Sequence, residues 1–120
     1  MNIFVVCIDF DGVINLYPGW ENEGYNVILG EPVEGAKEAI KEMRNRGAMV
    51  LVHSARCGYS GGTVAITEYL NTYNIRVDGV CSNKPPADVY LDDKGITFKG
   101  KWDADFIDTI MGFTTWLGHS

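Results

Sequence analysis

Six side chains able to do chemistry punctuate this sequence: Asp9, Asp11, Ser54, Lys84, Asp92 and Asp93. Each follows an apolar run, and together they span more than eighty positions. Four carboxylates gathered at one place repel one another, and some stay protonated unless a cation is close. All-oxygen ligation favours a hard divalent ion, Mg2+ rather than zinc. Lys84 adds positive charge and Ser54 a hydroxyl donor, so the set suits a phosphoryl group, whose oxygens need both. Ser54, Ala55, Arg56 and Lys84 are expected to meet substrate, Arg56 by offering its guanidinium to a second phosphate or a substrate carboxylate. Taken singly, each has an ordinary alternative. Asp9 could cap a turn, Ser54 could sit in one, and Asp92-Asp93-Lys94-Gly95 could be a β-turn. Lys84 could be a solvated loop charge, and Arg56 could belong to a surface ion pair.

What gathers these residues is the order of the elements. Ile3 to Ile8 is a continuous apolar, partly β-branched run, the pattern of a strand buried on both faces. Gly12 to Glu31 lacks helical periodicity and reads as a long loop or short hairpin. A helix is predicted over Val33–Arg46, where Ala36, Ala39, Ile40 and Met43 share a face between Pro32 and Gly47. Met49–His53 is a second strand, followed by a loop to Gly62 and a helix over Thr63–Tyr73, with Ile66, Tyr69, Leu70 and Tyr73 on one face. Further strands are predicted at Val77–Cys81, Val89–Leu91 and Ile96–Phe98, with a tight turn at Lys94-Gly95. Asp103 caps a last helix whose Phe106, Ile107, Ile110 and Phe113 face inward. Alternating strands and helices imply an α/β fold with right-handed crossovers and an open, mostly parallel sheet. Such sheets bind ligands at the carboxyl ends of their strands. That is where Asp9, Asp11, Ser54, Lys84, Asp92 and Asp93 fall.

The 120 residues suit one domain, 1–120, with a single core. Net charge is −6, which argues against a chain that coats nucleic acid non-specifically. No apolar stretch is long enough to span a bilayer, and the N-terminus lacks the features of a signal peptide. Cys7, Cys57 and Cys81 are odd in number and show no CxxC spacing, which fits a reducing cytoplasm.

Cys7-Ile8-Asp9-Phe10-Asp11-Gly12-Val13-Ile14 resembles the first motif of the haloacid dehalogenase-like superfamily. Val50-Leu51-Val52-His53-Ser54 is similar to its second, Asn83-Lys84-Pro85-Pro86 to its third, and Val89-Tyr90-Leu91-Asp92-Asp93 to its fourth. The resemblance covers nearly the whole chain, in the family's order. It implies a Rossmann-like three-layer sandwich and a magnesium-dependent phosphatase working through an aspartyl-phosphate. Asp9 would attack phosphorus. Asp11 would protonate the leaving alcohol and then activate water. Ser54 and Lys84 would hold phosphoryl oxygens. Mg2+ would sit on Asp9, the Asp11 carbonyl and Asp92, with Asp93 a ligand through water or a partner of Lys84. Two departures stand out: only a short loop separates Lys84 from Asp92, and no cap domain is inserted. The resemblance therefore implies an open site, covered either by a large substrate or by another subunit of a homo-oligomer.

The substrate expected is a phosphorylated small molecule or the phosphorylated end of a nucleic acid. Tyr17, Trp20 and Tyr25 would either wall that site or pack the flap down. Lys94, Lys99 and Lys101 give the nucleic-acid option an electrostatic basis. Three rival readings compete. Gly58-Tyr59-Ser60-Gly61-Gly62 satisfies G-x-S-x-G, the nucleophile elbow of a different hydrolase class, with His119 downstream. A phospho-receiver domain also combines an acidic pair, a Ser/Thr and a Lys, but its phosphorylated Asp would lie where His53-Ser54 stands. A degenerate phospholigand-binding relative would lack Asp9 or Asp11.

Overall fold

The computed structural model describes residues 2–16, 27–28 and 30–118. Four strands form one parallel sheet: β1 (Val5–Asp9), β2 (Met49–His53), β3 (Gly79–Cys81) and β4 (Val89–Leu91), in the order β3-β2-β1-β4. Helices α1 (Ala36–Asn45) and α2 (Gly62–Thr72) make the first two crossovers, and α3 (Ala104–Met111) follows β4. This is the α/β, Rossmann-like arrangement expected from the alternation of elements. A 3-10 turn at Ala55–Gly58 connects β2 to α2.

The register fixes which side chains share a face. Val6 and Ile8 of β1 lie beside Val50 and Val52 of β2. These four pack with Ile40 of α1 and with Ile66, Tyr69 and Leu70 of α2, so both helices cover one face. Phe10 and Ile14, just beyond β1, complete that core and are fully buried. Each such side chain contributes about 1.5–3 kcal/mol by leaving water. Cys7 and Asp9 alternate onto the opposite face, level with Leu51 and His53. The chain winds from β1 outward to β3, then returns to place β4 on the other flank of β1. That return sets a topological switch point between β1 and β4, beside Asp9 and Asp92.

A polar staple secures the far end of β2. The Asp78 carboxylate accepts from the Val50 amide (2.8 Å) and from the Arg44 guanidinium (3.0 and 3.2 Å). Arg44, more than the amide, holds the Asp78 carboxyl below its usual range. Asp78→Ala is expected to cost about 2 kcal/mol in urea unfolding at pH 7. Because the folded pKa is lowered, this stability is present above about pH 4 and is lost as pH falls further. The wild-type advantage should therefore shrink below pH 4.

Three expectations need correction. Ile96–Phe98 is not a strand: no described strand pairs with it, and Phe98 stacks on Trp102 (5.0 Å) and Phe106 (5.8 Å) instead. Asp103 does cap α3, accepting from the Phe106 amide at 2.8 Å. However, Ile107 and Ile110 are exposed rather than inward-facing, because α3 has no apolar face seated on the sheet. β1, α1 and β3 also begin later than expected, at Val5, Ala36 and Gly79, whereas Met49–His53 and Val89–Leu91 stand as read. The flap residues Tyr17, Trp20 and Tyr25 and the C-terminal His119 lie outside the described residues.

Candidate active site

Asp9 is the last residue of β1, the strand flanked by both β2 and β4, and points away from the helix-covered face. Phe10 and Ile14 bury the opposite side of this loop, which leaves Asp9 half-buried. Asp9, Asp92 and Asp93 each offer an oxygen, all within 4.8 Å of one another. Burial first, then the nearby Asp92, push the Asp9 carboxyl up to about 7; Asp93 and Asp11 add to the rise. Burial, followed by Asp92, also raises Asp93. Among the described residues, Asp93 Oδ1 is buried without a hydrogen-bond partner. An orphaned acceptor and mutually repelling carboxylates are what a bound cation would relieve, so these three residues could hold a metal ion.

Gly12 makes the cluster tight. Its φ is +84°, and a Cβ there would overlap the Asp93 carboxylate. The motif therefore needs glycine twice over, for its backbone angle and for its lack of a side chain. Trp116, far along the chain, donates its indole N–H to the Gly12 carbonyl at 2.7 Å, which ties the C-terminal segment to this loop.

Asp11 is buried, and its carboxylate is forked by Arg56: Nε to Oδ2 at 2.7 Å and Nη2 to Oδ1 at 3.1 Å. Asn15 Nδ2 donates to the same Oδ1 at 3.0 Å, and Tyr69 Oη donates to Asn15 Oδ1 at 3.0 Å. Burial raises the Tyr69 phenol and keeps it a donor. Arg56 Nη1 also donates to the Val27 carbonyl at 3.0 Å, so one guanidinium holds both the Asp11 carboxylate and the backbone at Val27. The expectation that Arg56 binds substrate is therefore corrected. It is 3% exposed and spends its fork on Asp11, because the 3-10 turn folds its side chain inward. Its backbone carbonyl lies so close to Gly62 that a Cβ there would clash, so α2 can start beside it only with glycine.

Ser54 follows β2, is buried, and caps the 3-10 turn by accepting the Arg56 amide at 3.2 Å. Lys84 is exposed on the loop between β3 and β4, with its ammonium 4.4 Å above the centre of the Tyr90 ring. Asp9, Asp11, Ser54, Ala55, Lys84, Asp92 and Asp93 all line one open cavity of about 640 Å³, together with Cys7, His53 and Tyr90. The sheet edge thus brings together every predicted site residue except Arg56, which supports the site from behind.

Sequence reasoning missed Asn15, Tyr69 and Tyr90. Asn15 lies four residues after Asp11, and the sequence pattern puts Tyr69 on the inward face of its helix. The bond that joins them spans 54 residues of sequence, which no local pattern announces. Ser60 of the G-x-S-x-G stretch is exposed in the turn before α2, seven residues after β2 ends, so it is not a strand-to-helix elbow. Among the described residues, no helix is long and apolar enough to cross a membrane. All three cysteines are free.

No protein-family model and no curated protein matches this sequence. Several solved structures share its fold. A conserved protein from Bacteroides thetaiotaomicron aligns over 98% of this chain and 97% of its own, at 23% identity and a TM-score of 0.60. A protein from Vibrio cholerae aligns over 90% of this chain and 96% of its own, at 18% identity and a TM-score of 0.54. A chain of a Pnkp1/Rnl/Hen1 complex aligns over 94% of this chain but 35% of its own, at 18% identity and a TM-score of 0.49, too remote to bear on function. At these identities the likeness is one of fold: the chain shares a near full-length α/β architecture with small proteins of similar extent.

Proposed function

We propose that the chain is a Mg2+-dependent phosphomonoester hydrolase of the haloacid dehalogenase-like type, with Asp9 as nucleophile. The observation that carries this reading is the Asp9–Asp92–Asp93 oxygen cluster at the switch point, in a cavity also lined by Ser54 and Lys84. Asp9, Asp92 and Asp93 would hold Mg2+, with the Asp11 carbonyl as a further ligand. Bound there, Mg2+ supplies charge neutralisation that keeps Asp9 ionised and offsets the charge of the phosphoryl oxygens.

The side chains then divide the remaining work. Asp9 attacks phosphorus in line as the ester oxygen leaves, and an aspartyl-phosphate forms on its carboxylate. Ser54 donates its hydroxyl hydrogen, and Lys84 an ammonium hydrogen, to phosphoryl oxygens. Asp11 gives a proton to the leaving alcohol and later takes one from water. Arg56 Nε and Nη2 occupy both oxygens of the Asp11 carboxylate. Acid catalysis therefore requires Asp11 to loosen that fork when substrate binds. The open cavity fits a substrate that covers the site itself, or a second subunit that does so, and Lys94 at its rim extends the positive side.

The test is a panel of phosphorylated metabolites and of 3′- and 5′-phosphorylated oligonucleotides, with Mg2+ and with chelator. Mg2+-dependent release of phosphate is expected, and beryllium fluoride should be trapped on Asp9. Turnover that survives chelation, or fluoride complexes bound elsewhere, would reject the mechanism. Preference for an oligonucleotide end over free monophosphates would select the nucleic-acid substrate.

A further inference from the structure

A lysine that binds a phosphoryl oxygen must be held in place, and in this chain no helix stands between Lys84 and β4 to hold it. The loop from Ser82 to Asp88 is irregular, and a free lysine there would lose considerable rotamer entropy on binding. Two features restrain it. Pro85 and Pro86 fix their own φ angles, and Pro85 limits the backbone of Lys84 to extended conformations. The second is Tyr90, at the centre of β4. Its register partner is Cys7, so its side chain shares the sheet face of Cys7 and Asp9 and lines the same cavity. Its ring lies 4.4 Å below the Lys84 ammonium, while its hydroxyl donates to the Pro85 carbonyl at 2.6 Å. One side chain therefore grips both the head of the lysine and the backbone next to it.

We propose that Tyr90 is the positioning residue for Lys84: ring and hydroxyl together set the ammonium at the cavity wall, in place of a supporting helix. The contact itself is independent of any activity, whereas its catalytic consequence rests on the phosphatase reading above. The negative face of the ring attracts the ammonium without consuming its hydrogens in an ion pair. Among the described residues no carboxylate pairs with Lys84, so its N–H groups stay available for phosphoryl oxygens.

The experiment has two arms. Lys84 acylation by an amine-reactive ester is followed by peptide mass spectrometry in wild type, Tyr90→Phe and Tyr90→Leu. Tyr90→Leu should label about two- to fivefold faster than wild type, and Tyr90→Phe, which keeps the ring, should label close to wild type. Equal labelling in wild type and Tyr90→Leu overturns the proposal. The second arm measures KM, kcat and inhibition by inorganic phosphate with Mg2+. Lys84→Ala and Tyr90→Leu should each raise KM and weaken phosphate inhibition, Tyr90→Phe should recover part of the loss, and the double variant should be no worse than Lys84→Ala. Additive losses would mean that Tyr90 acts on general structure and not through Lys84. If wild type turns over no phosphate ester, the phosphatase reading fails while the labelling arm still decides the contact.

Discussion

Asp9→Asn should lower Mg2+-dependent phosphate release by about 10⁴-fold or more, the scale seen when a nucleophile that forms a covalent intermediate is removed. The same substitution should stabilise the metal-free protein at pH 8. Burial and the neighbouring Asp92 raise Asp9 from 3.8 to about 7 in the fold. A raised carboxyl pKa means that the native state binds the extra proton between those values. Stability is therefore fully present below about pH 4 and falls as pH rises through 7. The loss is on the order of 4 kcal/mol at 1.36 kcal/mol per unit, shared across a cluster that titrates together. Asparagine carries no such charge, so Asp9→Asn should escape the decline. Thermal unfolding in chelator at pH 5 and pH 8 reads this directly. Mg2+ should restore wild type at pH 8 and do little for the variant, because metal binding takes the place of the proton. Equal melting of wild type and Asp9→Asn in chelator at pH 8 would refute a strained acidic cluster.

Arg56→Ala should be the most destabilising single change at the site. The Arg56–Asp11 pair is buried on both sides, with side chains 4% and 8% exposed. Removing one partner strands a carboxylate out of water, at a cost of about 3–5 kcal/mol. That is a large part of the 5–15 kcal/mol that holds a typical domain folded. It also releases the Val27 carbonyl. Replacing both members, Arg56→Met with Asp11→Leu, should recover much of the loss, since neither charge is then left alone. Urea unfolding of the three proteins checks the ranking. A single-variant cost under about 1 kcal/mol would show that the pair is solvated. Activity should fall as well, because the fork and Asn15 together aim the Asp11 carboxylate.

Local physics made most of the framework readable. The β-branched run into Asp9 reads as a buried strand, and Val6, Cys7 and Ile8 are buried in the interior strand β1. The 3.6-residue spacing around Ile40 and Ile66 reads as helix because those residues meet the sheet. Ile96–Phe98 failed for the complementary reason: its residues suit a strand, but strand formation needs a neighbour. Phe98 packs instead against the rings of Trp102 and Phe106, which also pack on each other. The apolar positions of α3 likewise predict a buried face only where something lies opposite.

Local patterns along the chain set the element order, and with it the convergence of Asp9, Asp11, Ser54, Lys84, Asp92 and Asp93. Strand ends in a parallel sheet all lie on one edge, so the order of elements is enough to place their last residues. How each of them is held follows from packing between distant elements. Arg56 turns inward to Asp11 and away from substrate, Asn15 and Tyr69 extend that network, and Tyr90 takes up Lys84. Such choices depend on burial and on partners up to 54 residues away, as for Tyr69 and Asn15. A charge or a hydroxyl in a sequence says what it can do; only the packing around it says which neighbour it will do it with.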